Sequence, residues 1–541
     1  MSQGIRLSEH QGIRLDWVDG FIREIKPFIY VREIDNLLIL IPNQAYRLNH
    51  SGVAILNFLL KGNSITKILE MLGDDEKKRE ELHYFFCDLR AIVSGCFVEG
   101  EKREAVSYYE FKDDLNDYPV LSEIAVTYRC NLNCEFCYVG HKKYPELNTS
   151  DLKKIIFKIY KEANVPSVSF TGGEPLLRDD IVSLVEYAHN TGLWTNLITN
   201  GTLLNRNLVR SLKKAGLNSA QVSLEGPNCE IHDKITNVKG SFEKTITGIK
   251  YLIEENIPVH TNTTVSRHNI NCLEGILLLA KSIGLKRLST NLVIPCGSAE
   301  NKKDLWIPYS EIGAHILKLK HLAEKENIKF LWYSPVPMCE FNPIAYGLGN
   351  KSCAAITGLL SIDPMGNILP CSSWREPVGS LLKKGFKEIW NSAMLSYFKN
   401  ADYAPEGCHK CSEFKICKGA CPLFWKALSK YKNNVGGVSN ADINPNVGGV
   451  SNADINPNVG GVSNADINPN VGGVSNADNR SRLGNRSCRI GVKGETWNVK
   501  RIKQRNLRLT KPSNGTHFAT AQRQTIFQGL LSRLGSRSYR E

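Results

Sequence analysis

Segments typical of β-strands alternate with segments typical of α-helices between Ser122 and Pro295, at a spacing of about 30 residues. Such alternation indicates parallel βα units, in which each helix returns the chain to the same end of a sheet. The predicted strands cover 122–130, 167–173, 194–200, 219–225, 258–266 and 287–295, and the predicted helices cover 149–163, 180–191, 203–216, 241–255 and 272–284. The sequence therefore predicts an α/β fold whose chemistry lies at the carboxyl ends of the strands.

Three cysteines follow the first predicted strand with the spacing C-x-x-x-C-x-x-C, at Cys130, Cys134 and Cys137. Three thiolates can hold three irons of a cuboidal iron–sulfur cluster, which leaves the fourth iron without a protein ligand. An open metal position can bind a substrate or cofactor directly, which makes a metal site catalytic rather than structural. A zinc site built on three cysteines is the alternative.

The cysteine spacing resembles that of the radical S-adenosylmethionine (AdoMet) enzymes, in which the open iron holds the amino and carboxylate groups of AdoMet. The second predicted strand ends in Gly172-Gly173-Glu174-Pro175, which is similar to a segment of that family whose backbone and Glu contact the AdoMet amine. Glycines allow close backbone approach to a ligand, and a carboxylate suits an ammonium partner. The resemblance implies an open, partial (β/α)6 TIM-type barrel. It also implies catalytic cluster ligands at Cys130, Cys134 and Cys137, and cofactor-binding residues at Gly172, Gly173 and Glu174.

Four further residues resemble positions at which the family contacts AdoMet. Asn200 ends the third predicted strand, and Ser223 and Glu225 end the fourth, where similar segments approach the ribose and carboxylate. Phe136 matches the aromatic residue that packs beside the adenine. Strand-end Asn-Gly and Glu-Gly are also ordinary turn formers, and a single Phe is often a core residue.

A second cysteine array resembles the SPASM extension of radical AdoMet enzymes, whose cysteines bind auxiliary iron–sulfur clusters. By that resemblance one cluster takes Cys353, Cys371 and Cys421, with Cys339 as the nearest candidate for its fourth ligand, and another takes Cys408, Cys411 and Cys417. The chain departs from the family pattern, because the last ligand of the second cluster should follow the array shortly and the next cysteine is Cys488. Either Cys488 reaches back, or that cluster lacks one thiolate, or it is absent; a structural zinc site is the alternative for the whole array.

The first 110 residues predict a separate winged-helix unit (α+β), with strands near 28–31, 37–41 and 44–48 and helices after Asn49. This order resembles the small chaperone of pyrroloquinoline quinone biosynthesis (PqqD-like), a recognition element for ribosomally made precursor peptides. In that family the leader peptide adds a strand to the exposed sheet edge. A generic winged helix that packs against its own enzyme is the alternative.

The chain ends in a repeat and a basic segment. A twelve-residue sequence at 434–445 recurs at 446–457 and 458–469, with a shortened copy at 470–478, and is rich in Gly, Asn and Pro. Such copies bury little apolar surface, which predicts a disordered linker, and a repeat expansion with a shifted reading frame is an alternative origin. The segment 479–541 has 15 Lys and Arg against two acids, so it carries nearly all of the net charge of +14. The nearly neutral remainder argues against a nucleic-acid partner.

These features predict five regions: a PqqD-like peptide-binding domain at 1–110, a radical AdoMet barrel at 118–310, a SPASM domain at 335–430, a linker at 434–478 and a basic tail without an assigned role at 479–541. The resemblance implies an enzyme that reductively cleaves AdoMet to a 5′-deoxyadenosyl radical and oxidatively modifies a ribosomally made peptide, for example by crosslinking it. The implied cofactors are a 4Fe–4S cluster, AdoMet and one or two auxiliary iron–sulfur clusters. The implied partners are a precursor peptide and a flavodoxin- or ferredoxin-type electron donor.

Two other functions stay open: an enzyme of tetrapyrrole or other cofactor biosynthesis, and a non-catalytic scaffold. The sequence shows neither an export signal nor a membrane span, and it contains 16 cysteines. This combination favours metal or redox use in a reducing, cytoplasmic setting over disulfides.

Overall fold

The computed structural model describes residues 13–42, 44–95, 116–140 and 143–434. The repeats after Asn434, the basic tail and Cys488 lie outside the described residues. Among the described helices, none has the length and apolar character needed to cross a membrane.

The first elements form a small antiparallel sheet. Helix α1 (Trp17–Ile25) precedes strands β1 (Ile29–Arg32), β2 (Leu37–Leu40) and β3 (Gln44–Arg47), which pair in the order β1-β2-β3. Helix α2 (His50–Leu60) follows, and its first turn is capped because the side chain of Asn49 accepts a 2.7 Å hydrogen bond from the Gly52 N–H. The predicted strand-then-helix order is therefore present.

The chain divides by its internal contacts into two units, and the division runs through the predicted domain 1–110. Residues 17–64, with α1, β1–β3 and α2, belong to the same unit as the large sheet described below. Helices α3 (Ile65–Leu72) and α4 (Glu76–Val93) belong to the other unit, together with residues 13–16.

Ten strands form the large sheet, in the order β10-β9-β8-β7-β6-β5-β4-β11-β12-β13. They are β4 (Leu121–Thr127), β5 (Ser167–Gly172), β6 (Trp194–Thr199), β7 (Ser219–Ser223), β8 (Val259–Val265), β9 (Arg287–Leu292), β10 (Lys329–Trp332), β11 (Leu359–Ile362), β12 (Asn367–Leu369) and β13 (Gly379–Ser380). From β4 to β10 the strands are parallel and each lies beside the next in sequence, which is the winding of a barrel rather than of a doubly wound sheet.

The helices cover the outside of this sheet and build the region after it. They are α5 (Thr149–Lys161), α6 (Ile181–Thr191), α7 (Arg206–Lys214), α8 (Cys229–Thr236), α9 (Ser241–Glu254), α10 (Leu273–Ser282), α11 (Tyr309–Lys325), α12 (Phe386–Trp390), α13 (Ser396–Lys399), α14 (Glu406–His409), α15 (Phe414–Cys417) and α16 (Pro422–Asn434). Alternate strand residues such as Val168, Phe170 and Leu288 are fully buried beneath them in one large apolar core. The six predicted βα units are present, and β10 and β11 extend the parallel sheet at its two sides.

Arg32 fixes the small sheet to the amino-terminal ends of the large-sheet strands. Its guanidinium group is 2% exposed and forms a bidentate pair with Asp35, at 2.9 and 2.8 Å. The same group donates to the carbonyl oxygens of Tyr118 and Pro119, just before β4, and of Asn164, before β5, at 2.9, 2.7 and 3.2 Å. Three of the five hydrogen bonds of this buried cation therefore join the two sheets.

Two more contacts occur at the same ends of the strands. The Ser167 hydroxyl, at the start of β5, donates to the Pro42 carbonyl at 3.2 Å. The Phe28 ring lies 6.2 Å from that of Trp194, at the start of β6. The small sheet thus lies at the amino-terminal ends of β4–β6, opposite the predicted cysteine loop.

Candidate active site

The loop after β4 carries the three predicted cluster ligands, which are all partly exposed: Cys130, Cys134 and Cys137. The loop is held by the end of α8, because the Asn133 N–H donates to the Thr236 carbonyl and the Glu135 N–H to the Ile235 carbonyl, both at 3.0 Å. The sequence folds in this way because β4 and β7 end at the same edge of a parallel sheet. Backbone bonds to a neighbouring element therefore fix the cysteine positions.

The backbone at Gly172 and Gly173 passes so close to this loop that no side chain fits. A Cβ atom on Gly172 would lie 2.0 Å from the Thr127 carbonyl oxygen, and one on Gly173 would lie 2.2 Å from that of Arg129. Gly172 also has φ +131°, a conformation that other residues rarely adopt. The Gly173 N–H donates to the Thr127 carbonyl at 2.8 Å, so the end of β5 is tied to the start of the cysteine loop.

We expect Gly173→Ala to lower AdoMet cleavage by roughly 100-fold, because the Arg129 backbone must move to admit a methyl group and displacements of about 1 Å at such sites cost about that much. The measurement is the rate of 5′-deoxyadenosine formation, with iron content determined on the same samples. Gly358→Ala is the matched control, because the nearest atom to its added Cβ lies 3.6 Å away. Equal rates for the two variants would contradict the prediction.

The carboxyl group of Glu174 is completely enclosed by protein. Its Oε1 accepts from the Thr199 hydroxyl at 2.8 Å and the Leu176 N–H at 3.0 Å, and its Oε2 accepts from the Asn200 N–H at 2.8 Å. Burial raises the pKa of Glu174 to about 7, although these hydrogen bonds oppose the shift. In this arrangement the side chain joins the ends of β5 and β6, and its contact with the AdoMet amine stays a prediction.

Asn200 connects the end of β6 to the cysteine loop. Its Nδ2 donates to the Asn131 Oδ1 at 2.9 Å and lies 3.9 Å from the Cys130 sulfur, while its Oδ1 accepts from the Thr202 N–H at 2.9 Å. The amide is therefore a donor to a predicted cluster ligand. Its contact with AdoMet also stays a prediction.

Ser223 and Glu225 lie at the end of β7. Ser223 is half-buried, whereas Glu225 is only 3% exposed and accepts a 2.9 Å hydrogen bond from the Thr264 N–H in β8. Burial raises the pKa of Glu225 to about 8; the Thr264 hydrogen bond opposes this, and the negative charge of Glu135 adds to it. Glu225 thus joins two strand ends, and Ser223 is the more accessible of the two predicted AdoMet contacts.

Phe136 packs against the segment that follows β9. Its partly buried ring lies against the small apolar cluster of Val293, Ala299 and Leu305. The structure gives this aromatic residue a packing function in the protein, and its contact with adenine stays a prediction.

The cysteines of the second array form two sets in the structure. The first set is Cys353, Cys371 and Cys421. The pKa of Cys353 is raised to about 12, by burial first and by the Cys421 thiol second. The pKa of Cys371 is raised by burial and by both of the other thiols, so the three lie near one another. The second set is Cys408, Cys411 and Cys417, on and between α14 and α15.

Two cysteines outside the array lie beside these sets. Cys296, after β9, is 7% exposed. Its pKa is raised to about 12, by burial first and also by the Cys421 and Cys137 thiols. The Ser298 N–H donates to the Cys137 carbonyl at 2.8 Å, so this segment adjoins the loop after β4. Cys339 lies beside the second set, where the N–H of its neighbour Met338 donates to the Cys417 sulfur at 3.4 Å. The sequence made Cys339 only the nearest candidate for the fourth ligand of the first set, and which cluster it serves stays a prediction.

Two residues that were not predicted from the sequence also support the cysteine loop. The Tyr138 hydroxyl donates to the Gly172 carbonyl at 3.0 Å. The Arg375 guanidinium lies 4.4 Å from the ring centre of Tyr128 and donates to the Val139 carbonyl. The position of Tyr138 directly after Cys137 is a local signal, whereas nothing near Arg375 in sequence indicates its contact.

These residues suit an iron–sulfur cluster. In the described ranges, no three His, Cys, Asp or Glu side chains converge as the ligands of a single ion do. Cluster thiolates bind separate irons and so need not converge on one point. The Cys130 sulfur also has two donors, the Leu132 N–H at 3.4 Å and the Asn200 amide at 3.9 Å, and such donors stabilise an anionic thiolate.

Comparison with known proteins also indicates iron–sulfur sites. The sequence pattern of the Radical SAM superfamily matches residues 124–280, and that of the SPASM iron–sulfur cluster-binding domain matches 353–412. The chain is 30% identical over 314 residues to the PqqA peptide cyclase of Ruegeria pomeroyi, which covers 56% of this chain and 82% of that protein. It is 27% identical over 342 residues to the AdoMet-dependent heme synthase of Methanosarcina barkeri, which covers 59% of this chain and 95% of that protein.

A solved structure shares the fold. Streptococcus suis SuiB bound to the precursor peptide SuiA has a TM-score of 0.56 with 17% sequence identity, over 73% of this chain and 95% of SuiB. The fold, the turn at Gly172 and Gly173 and the cysteine sets together define an iron–sulfur enzyme that uses AdoMet. The chain belongs to the radical SAM superfamily, in its SPASM-containing part. When bound, its 4Fe–4S cluster and AdoMet supply reductive cleavage of AdoMet to a 5′-deoxyadenosyl radical.

Proposed function

We propose that this enzyme oxidatively modifies, for example crosslinks, a ribosomally made precursor peptide. In the proposal Cys130, Cys134 and Cys137 bind the catalytic cluster, and AdoMet lies against the Gly172–Gly173 backbone. The remaining predicted cofactor contacts either face AdoMet themselves or hold in place the strand ends that face it. These residues are Phe136, Glu174, Asn200, Ser223 and Glu225. The relative that carries a peptide substrate in its name, PqqA peptide cyclase, supports this choice.

The observation that carries the proposal is the interior of the barrel, which is rich in amide and hydroxyl groups. Alternate residues of β5–β9 face away from the covering helices. Those inner positions are mostly amides and hydroxyls, and several are partly exposed: Ser169, Asn196, Gln221, His260, Asn262, Ser289 and Asn291. Amide side chains both donate and accept, as a peptide backbone does, so this lining is suited to an extended peptide.

The inner side chains form lateral hydrogen bonds that keep them oriented. Asn196 Nδ2 donates to the Ser169 hydroxyl at 3.2 Å, and the Ser289 hydroxyl donates to Asn262 Oδ1 at 2.9 Å. Burial lowers the pKa of His260 to about 4, helped by the positive charge of Arg287, so His260 is neutral at physiological pH. The lining therefore carries hydrogen-bonding groups without an ionised imidazole.

A tetrapyrrole substrate is the second candidate, because the heme synthase match extends over more of the chain than the cyclase match. A tetrapyrrole presents a flat apolar ring and carboxylates, which favour apolar walls with Arg or Lys. The amide-rich interior is the reason for preferring the peptide.

The test uses the full chain, reconstituted anaerobically with iron and sulfide and then supplied with AdoMet and a reductant. It is incubated either with peptides encoded by short reading frames beside its gene or with a carboxylated tetrapyrrole. We expect 5′-deoxyadenosine together with a peptide that has lost two hydrogens, measured by mass spectrometry. Consumption of the tetrapyrrole with an unchanged peptide would favour the second candidate, and absence of 5′-deoxyadenosine would favour the scaffold.

We also propose that residues 17–64 form the sheet of a PqqD-like element that binds the leader of the peptide. Strand β3 is the edge of the small sheet, and its end residues Gln44 and Arg47 are exposed. The Leu48 N–H donates to the Asn36 carbonyl at 2.8 Å, so the backbone of Leu48 bonds toward β2. Along an antiparallel pair, successive residues bond alternately toward the partner strand and away from it. Ala45 lies three residues before Leu48 and therefore directs its N–H and C=O away from β2. An added strand would pair there.

We expect Ala45→Pro to weaken leader binding by at least about tenfold, because proline removes an outward N–H without removing a ladder bond to β2. Ala45→Val is the matched control, because it keeps the N–H and favours the strand. Binding of a fluorescent precursor peptide to the full chain is the measurement. Unchanged affinity for Ala45→Pro would contradict strand addition at β3.

The remaining parts of the proposal concern the setting of the reaction. A reduced flavodoxin- or ferredoxin-type protein supplies the electrons, and the cytoplasm is the compartment. Both fit a chain with 16 cysteines, which needs a reducing environment to keep its thiols available for iron. The barrel at 118–310 and the SPASM domain at 335–430 provide the radical and auxiliary sites, respectively.

A further inference from the structure

We infer that Cys339 supplies the fourth thiolate of the auxiliary cluster that Cys408, Cys411 and Cys417 hold. The family pattern places the last ligand of this cluster shortly after the array. In this assignment that ligand is instead a cysteine that precedes the array. This assignment concerns the ligation of one cluster, and its failure would leave the peptide proposal unchanged.

The fold of the second set brings its three cysteines together on two short helices. Cys408 lies in α14 and Cys417 ends α15, with Cys411 between them. The Cys411 N–H donates to the Cys408 carbonyl at 3.0 Å, which closes the first turn. Lys418 then has φ +54°, which turns the chain away directly after Cys417. The local backbone is therefore folded around the three thiols.

The segment that carries Cys339 reaches this set from outside. The Met338 N–H donates to the Cys417 sulfur at 3.4 Å, although the two residues are 79 positions apart in sequence. The Asn350 side chain donates to the Ile416 carbonyl at 3.5 Å, so the same connecting segment touches α15 a second time. A residue adjacent to Met338 is consequently beside the sulfur of Cys417.

The number of thiolates supports the same grouping. A 4Fe–4S cluster can take four thiolates, and the array supplies three of them to this cluster. Thiolates gathered at one place repel one another unless a cationic metal group binds them.

Cys339 is thus a cysteine outside the array that adjoins Cys417 of the second set. With four thiolates the second cluster has no open iron, which suits electron transfer rather than substrate binding.

The test measures iron directly. Full-length protein with Cys130, Cys134 and Cys137 all changed to Ala retains only the auxiliary clusters and serves as the parent. We expect Cys339→Ala in this parent to lose about four irons per chain after brief chelator exposure, or to show the electron paramagnetic resonance signal of a three-iron cluster after mild oxidation. Cys408→Ala should behave in the same way. Cys229→Ala is the control, because Cys229 is exposed and lies outside both sets.

A second comparison keeps the result interpretable if Cys339→Ala folds poorly. In a parent that also lacks Cys408, Cys411 and Cys417, Cys339→Ala should leave the iron content unchanged, because the cluster it serves is already gone. A further loss of about four irons there would assign Cys339 to the first set and overturn the inference. Retention of iron by Cys339→Ala together with its loss in Cys488→Ser would overturn it as well.

Discussion

Replacement of Cys134 by alanine is expected to abolish 5′-deoxyadenosine formation, to the background of protein-free controls. Cys134 is one of three thiols on the loop after β4, and a cubane cluster that already has one open iron cannot spare a second ligand. The variant should also lose about four irons per chain relative to wild type. Iron, sulfide and 5′-deoxyadenosine measured on one anaerobic preparation test both results.

Cys272→Ala provides the control for that experiment, because Cys272 precedes α10 and belongs to none of the cysteine sets. It should retain both iron and activity. If the wild-type protein bound zinc instead of iron and sulfide at Cys130, Cys134 and Cys137, the radical site itself would be refuted. Full activity in Cys134→Ala would equally refute the assigned ligand.

Arg32→Met should lower the free energy of unfolding by about 3–5 kcal/mol, because it leaves Asp35 as a buried carboxylate without its partner. The side chains of Arg32 and Asp35 are only 2% and 1% exposed. The carbonyl oxygens of Tyr118, Pro119 and Asn164 would each lose one donor at the same time, although that of Tyr118 keeps the Asn116 amide at 2.7 Å. Guanidinium unfolding followed by tryptophan fluorescence measures the change.

Two further variants serve as controls for Arg32→Met. Arg206→Met breaks a pair with Glu254 in which the side chains are 57% and 44% exposed, and it should cost no more than about 1 kcal/mol. The double variant Arg32→Met with Asp35→Leu removes both charges and should recover part of the loss. Equal losses for Arg32→Met and Arg206→Met would contradict the anchoring function of Arg32.

Regular patterns in the sequence predicted most of the fold. The strands β4–β9 are all present, because alternating βα units leave a strong periodic signal. The first predicted strand was too long, since the chain leaves the sheet after Thr127 to form the cysteine loop. Strand β10 was missed because four residues, Lys329–Trp332, are too short for a periodic signal and gain their place from pairing with β9.

The candidate site was likewise predictable only in part. The spacing of Cys130, Cys134 and Cys137 is a local feature of the chain, so it could be recognised in the sequence. The enclosure of Glu174 by groups from two strand ends depends on packing, which a motif does not record. The position of Cys339 beside Cys417 depends on two segments 79 residues apart meeting in space, and spacing along the chain gives no sign of it.

The attachment of the small sheet to the amino-terminal ends of β4–β6 sets a minimum length for any substrate that docks on it. Strand β5 has six residues, so about 20 Å separates its start from the cysteine edge. An extended peptide covers about 3.3 Å per residue, and a straight path therefore needs at least about six residues between the docked leader and the reacting residue. Under the proposed docking of a leader on β3, a precursor with a shorter spacer would be captured without being processed, and reach would select the target position together with chemistry.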